Sequence, residues 1–223
     1  METTGEPTKQ PGRMRRFIRT NAALLAVIFS IVCLRTAVAD WSYVPSGSME
    51  PTFYDGDWLI VNKTYYGPTI PFTSVKLFSI GEPERGDVIT FYPPHTDDLY
   101  VKRVIGIPGD RILVHGSDIF VNGEKLVVSD LHNDDGRLIG IERIGNVRHM
   151  IEFSEGGELP TFSNEIVVPD GKYFVLGDHR NNSADSRYWG FVDEAKITGK
   201  VTYVAVSFAD ERPLSHRLAI AID

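Results

Sequence analysis

The sequence predicts a mostly β domain, an antiparallel coiled sheet or barrel, carried behind one N-terminal membrane-spanning helix. Three observations predict it. After Ala39 the apolar residues fall in short runs, and almost none recur at helical spacing. Turn signals divide those runs, among them Arg85-Gly86-Asp87, Pro93-Pro94, Pro108-Gly109-Asp110 and Asn122-Gly123. Before Ala39 stands one apolar stretch, with arginines ahead of it.

Residues 1–16 read as a basic cytoplasmic tail, polar at first and then carrying Arg13, Arg15 and Arg16. Residues 17–39 read as a membrane anchor. The stretch is long enough to span a bilayer if Arg19 and Arg35 snorkel to the two interfaces. Trp41 and Tyr43 stand where an interfacial aromatic belt would lie. The arginines place the N-terminus in the cytoplasm and residues 40–223 on the far side. A second reading stays open. A basic start, an apolar core and Ala37-Val38-Ala39 also match a cleavable signal peptide. Both readings export the C-terminal domain.

In that domain, Gly56 to Lys63 is an apolar run after a turn, and Tyr65 to Phe78 is a loop broken by Gly67, Pro68 and Pro71. Strands follow at Val88 to Tyr92 and Leu99 to Ile107. A hairpin turns at His115 to Asp118. Residues from about 125 to 161 are more polar and read as a small insertion with little core of its own. Strands resume at Ile166 to Val168 and Lys172 to Leu176, a short helical turn is expected at Asp193 to Lys196, and Val201 to Phe208 closes the domain.

The 223 residues suffice for one domain and an anchor. A formal charge of −7 argues against a nucleic-acid surface. The single cysteine, Cys33, lies inside the apolar stretch, so no intramolecular disulfide supports the fold. The histidines are scattered, and no His or Cys pair has metal-ligand spacing, so neither metal nor cofactor is expected.

Val44-Pro45-Ser46-Gly47-Ser48-Met49-Glu50-Pro51-Thr52 follows the anchor closely. Two serines on stiff, glycine-permitted backbone suit a surface turn or a nucleophile. A nucleophilic serine needs a base, and none of the six histidines falls in a triad pattern. Lys102 is the alternative. Strand alternation gives it Tyr100 and Val104 as neighbours on its own face, and burial lowers a lysine's pKa. A strand-edge lysine snorkelling to water fits the same pattern. Arg103, on the other face, needs a carboxylate, and the loop from Gly177 to Phe191 offers Asp178 and Asp185.

Ser46-Gly47-Ser48-Met49-Glu50-Pro51-Thr52, Gly56-Asp57 with Val61 and Lys63, Arg85-Gly86-Asp87-Val88, Val101-Lys102-Arg103-Val104 through Pro108-Gly109-Asp110, and Gly177-Asp178 through Gly190-Phe191 stand in one order. Together they resemble the bacterial type I signal peptidases. His179 and Asn181 depart from the pattern, standing where the family usually has Asn and Asp.

The resemblance implies a Ser–Lys endopeptidase that removes signal peptides from exported preproteins after Ala-x-Ala sites. It would be single-pass in the bacterial inner membrane, against lipid, with its catalytic domain on the periplasmic face. Ser48 would be the nucleophile and Lys102 the general base. Ser46 would serve the oxyanion hole, and Ser183 would orient Lys102. Val44, Met49, Phe53, Tyr100 and Val101 would line the pockets. Arg103, Asp178, Asp185 and Arg187 would form the supporting network. Two other functions fit the same residues: a maturase for one exported or conjugative protein, and a non-catalytic anchored domain that binds extended peptides. The family's activity would also recognise Ala37-Val38-Ala39 of this chain itself.

Overall fold

In the computed structural model, residues 12–67, 78–207 and 220–221 are described. Helices α1 (Arg13–Thr20) and α2 (Ala22–Ala37) precede the strands. The strands are β1 (Ala39–Tyr43), β2 (Asp57–Asn62), β3 (Val88–Phe91), β4 (Tyr100–Gly106), β5 (Arg111–His115), β6 (Asp118–Val121), β7 (Glu124–Lys125), β8 (Val127–Asp134), β9 (Arg137–Ile144), β10 (Val147–Ser154), β11 (Ile166–Val167) and β12 (Lys172–Leu176). Helix α3 (Ser186–Trp189), then β13 (Val192–Asp193), β14 (Ile197–Ser207) and β15 (Ile220–Ala221) complete the order.

The main sheet is antiparallel in the order β1-β2-β14-β3-β4-β12-β13, with β15 beside β14. Its two ends, β1 and β13, do not pair, so among the described residues it is an open sheet rather than a closed barrel. Irregular register along β14 and between β4 and β12 lets it curl. Its central strands are buried on both faces. Ile89, Phe91, Val104 and Val175 fill one side with Tyr66 and Tyr173. Val88, Val61 and Val204 fill the other, with Val44, Met49 and Phe53 over them. A third cluster joins Ile105, Phe174 and Leu176 to the β5–β6 hairpin.

The expected single helix over 17–39 is not what forms. The chain breaks at Asn21, and α2 has 16 residues. At 1.5 Å per residue that is ~24 Å, short of a ~30 Å hydrocarbon core. No helix among the described residues is long and apolar enough to cross a membrane. Trp41 and Tyr43 are exposed as expected, but they belong to a strand, β1, that sequence reading did not place. Ala39 pairs with Asn62, and the Lys63 N–H donates to the Val38 carbonyl, so the sheet begins immediately after the helix.

Most of the expected 65–78 loop lies outside the described residues. The 125–161 insertion forms a three-stranded antiparallel sheet, β10-β9-β8. Its core is shared rather than its own: Leu126 and Ile144 join the cluster around Phe174. The Gly177–Tyr188 loop packs on this sheet, with the Glu152 N–H donating to the Asp178 carbonyl and the Arg180 N–H to the Glu152 carbonyl.

Candidate active site

Ser48 sits in a single 3-10 turn, Gly47–Met49, that enters from extended backbone at Ser46. Met49 is buried and pins the turn to the sheet. The Ser48 carbonyl is fixed by the His179 N–H at 3.3 Å. Gly177 explains how closely the two segments approach. A Cβ there would lie 2.4 Å from the Ser48 carbonyl oxygen and 2.3 Å from Ser183 Oγ, so only glycine fits.

Lys102 lies mid-strand in β4, opposite Ile89 of β3 and on the side of Tyr100 and Val104. Only 3% of its surface is exposed. Nζ donates to Ser48 Oγ at 2.7 Å and to the Val101 carbonyl at 2.9 Å. Burial pushes its pKa down from 10.5 to about 8, against the opposing pull of Asp185 and Asp178. At pH 7 a lysine so placed is neutral in only about a tenth of molecules, a share that grows as pH rises through 8, and only the neutral amine accepts a proton. Ser46 Oγ stands 3.4 Å from Ser48 Oγ, on the exposed side.

Ser183 is buried beside Gly177 and the Ser48 carbonyl, but its hydroxyl makes no hydrogen bond among the described residues. The expected bond from Ser183 to Lys102 is therefore not formed. Arg103 and Asp178 make a bidentate pair at 2.9 and 2.8 Å, both buried, and Arg103 also donates to the Gly86 carbonyl. Thr52 donates to Asp178 at 2.6 Å, tying the nucleophile segment to the same carboxylate. Burial pushes the Asp178 carboxyl up, but Arg103, with help from His149 and Thr52, holds it below its ordinary range. Asp185 receives the Gly177 N–H and both arms of Arg187, and Arg187 reaches the Arg180 carbonyl.

A groove of about 570 Å³ runs past Ser48 and Lys102. Val44, Met49, Tyr100 and Val101 line it as expected of pocket residues. Phe53 does not: it is fully buried beneath, packed with Val44 and Met49. Asp98, Leu99, Asn182 and Ala184 also line the groove, and sequence reading missed them. Asp98, Asn182 and Ala184 lie in polar loops whose course only the fold reveals, and Leu99 stands immediately before β4.

The family model for signal peptidase, peptidase S26, matches residues 14–206. The chain belongs to the signal peptidase S26 family. A signal peptidase I of Pseudomonas aeruginosa is 35% identical over 202 residues, covering 83% of this chain and 71% of that protein. One of Pseudomonas fluorescens is 37% identical over 209 residues, covering 85% and 72%. A crystal structure of a signal peptidase I from Enterococcus faecalis shares 30% identity over 56% of this chain and 100% of that chain, at a TM-score of 0.37, too low to bear on the fold.

This signal peptidase family member holds two further arrangements that motif spacing did not reveal. Arg180 makes a buried bidentate pair with Glu142 of β9, at 2.6 and 2.5 Å. His149 of β10 stands 3.2 Å from Glu142 and 3.8 Å from Asp178, and burial, then Arg103, push its imidazole pKa down. The inserted sheet therefore reaches the charged network behind Lys102. Glu50, Glu152 and His179 also converge, their ligand atoms within 4.8 Å of one another. A cation there would compete with bonds already made. His179 Nδ1 is 3.2 Å from the Gly47 carbonyl and Nε2 is 2.6 Å from Ser154 Oγ, while Arg137 stands 3.6 Å from Glu152.

Proposed function

We propose that this chain is a membrane-held endopeptidase that removes N-terminal signal peptides from exported preproteins after Ala-x-Ala sites. The observation that carries the reading is the buried Lys102 amine within 2.7 Å of Ser48 Oγ, in a groove open to substrate. Neutral Lys102 takes the Ser48 hydroxyl proton as Oγ attacks the scissile carbonyl carbon. The Ser48 N–H and the Ser46 hydroxyl hold the oxyanion. Lys102 then returns the proton to the leaving amine, and a water, deprotonated by the same lysine, releases the acyl group from Ser48.

Substrate geometry follows from the strands. β12 pairs with β4 only at Arg103, Val104 and Gly106, so that edge of Tyr100 and Val101 has no strand partner among the described residues. An extended peptide lying between this edge and Val44 to Ser46 adds a strand to the site. Val44, Met49 and Tyr100 then face its alternate side chains, with room for alanine.

The apolar surface of α2 supports attachment to lipid. Leu24, Val27, Ile28, Phe29 and Ile31 are all exposed along the helix. Trp41, Tyr43, Trp58 and Tyr203 are exposed on the adjacent strands β1, β2 and β14, of which β1 follows the helix directly. Retention of the anchor agrees with the pairing of Ala39 in β1.

Intact-mass analysis of a preprotein cut by the full chain in detergent tests the reading. The mature product should start immediately after the second alanine. A leucine at the −1 or −3 position should abolish cleavage, and indifference to both substitutions would contradict it.

A further inference from the structure

His179 lies behind the nucleophile turn, away from the substrate groove, and is buried. It touches that turn twice. Its backbone N–H donates to the Ser48 carbonyl, and its ring Nδ1 stands 3.2 Å from the Gly47 carbonyl oxygen. The second contact matters more. The Gly47 carbonyl and the Ser48 N–H are the two ends of one planar trans peptide unit. Fixing the direction of that C=O fixes the direction of the N–H. A donor on the carbonyl also polarises the N–H, as neighbouring hydrogen bonds strengthen one another.

The ring is held in the tautomer this requires. A carbonyl oxygen only accepts, so Nδ1 carries the proton and Nε2 is left as an acceptor. Ser154 Oγ of β10 lies 2.6 Å from Nε2 and donates to it. Ser154 is in turn clamped by Asn181, which accepts its N–H at 2.9 Å and donates to its carbonyl at 2.6 Å. The two residues at which the chain departs from the signal peptidase pattern, His179 and Asn181, thus meet on one serine of the inserted sheet. The carboxylates nearby do not replace these bonds: Glu50 is 3.9 Å from Nδ1 and Glu152 is 3.8 Å from Nε2.

We propose that His179 is a positioning residue. Through the Gly47 carbonyl it aims the Ser48 N–H at the developing oxyanion, and Ser154 of the inserted sheet fixes its tautomer. The inference rests on Ser48 being the nucleophile.

The test is steady-state cleavage of a preprotein with an Ala-x-Ala site, by the full chain in detergent, for His179→Phe, His179→Asn, Ser154→Ala and Ser48→Ala. In His179→Phe kcat falls about tenfold with KM little changed, less than the ~100-fold or more that removal of an oxyanion donor costs. His179→Asn, whose amide places an N–H near the position of Nδ1, restores most of that loss. Ser154→Ala lowers kcat in the same sense by a smaller factor. Unchanged kcat in His179→Phe, a loss confined to KM, or an Asn variant as impaired as the Phe variant overturns the proposal. Should His179→Phe not fold, Ser154→Ala carries the test, and an unchanged kcat there overturns it. An active Ser48→Ala variant would instead remove the reading beneath it, whatever the His179 variants do.

Discussion

Arg180 of the polar loop and Glu142 of the inserted sheet form a bidentate ion pair with both side chains buried. The same guanidinium donates to the Gly177 carbonyl, one residue from Asp178. The pair therefore clamps the loop that carries the partner of Arg103. Removing one member leaves a buried charge without compensation. Glu142→Ala is expected to cost about 3–5 kcal/mol in urea unfolding. Glu142→Ala with Arg180→Met should recover part of that loss.

The same carboxylate sets an acid dependence. Burial pushes Glu142 up, but Arg180, with His149, pulls its pKa from 4.5 down to about 2. A depressed carboxyl contributes stability that is fully present above its unfolded pKa and is lost as pH falls through the folded one. Unfolding free energy should therefore decline as pH falls from 4.5 towards 2. In Glu142→Gln that part of the decline should disappear when the two proteins are compared by denaturant titration at each pH.

Lys102 contributes a cost where Glu142 contributes a gain, with stability again rising with pH. Its folded pKa of about 8 lies below its ordinary 10.5 because of burial. Keeping the charged amine buried costs stability below pH 8, and the cost fades as pH rises from 8 to 10.5. Lys102→Met should be inactive yet more stable at pH 7 by about 1–3 kcal/mol, a gain that shrinks in alkali. In the parent protein kcat/KM should rise with pH through about 8 as the neutral amine accumulates. A pH–rate profile and paired denaturation curves check both statements.

Much of this was legible in the sequence. Alternation in β4 singles out Lys102 as a candidate, because a strand's period puts Tyr100 and Val104 on its face whatever the rest of the chain does, but a lysine snorkelling to water fits the same pattern. The β5–β6 hairpin and the strand ends at Pro93 and Pro108 were legible because Pro, Gly and Asp act locally. What stayed hidden depends on tertiary contact. Nothing near Glu142 in sequence announces Arg180, and nothing in Phe53 distinguishes a residue under the groove from one lining it. The break at Asn21 was missed because an apolar stretch reports burial in lipid or core, and not the continuity of a helix.

Ser183 and Gly177 offer a contrast at one spot. The Ser183 hydroxyl is buried without a hydrogen bond among the described residues, so Ser183→Ala should not lower stability and is expected to raise it by up to about 1 kcal/mol. Gly177→Ala drives a methyl group into the Ser48 carbonyl and Ser183. A displacement of that kind at the nucleophile should lower kcat about 100-fold. Thermal unfolding and single-turnover cleavage of the two variants separate the effects.

The most direct measurement of the central claim is preprotein cleavage in detergent by the parent chain, Ser48→Ala and Lys102→Ala, each checked for folding by circular dichroism. The Ser48–Lys102 account predicts that the parent cuts after the Ala-x-Ala site and that both folded variants leave the preprotein intact. Cleavage at that site by folded Lys102→Ala, at a rate near the parent's, would contradict it.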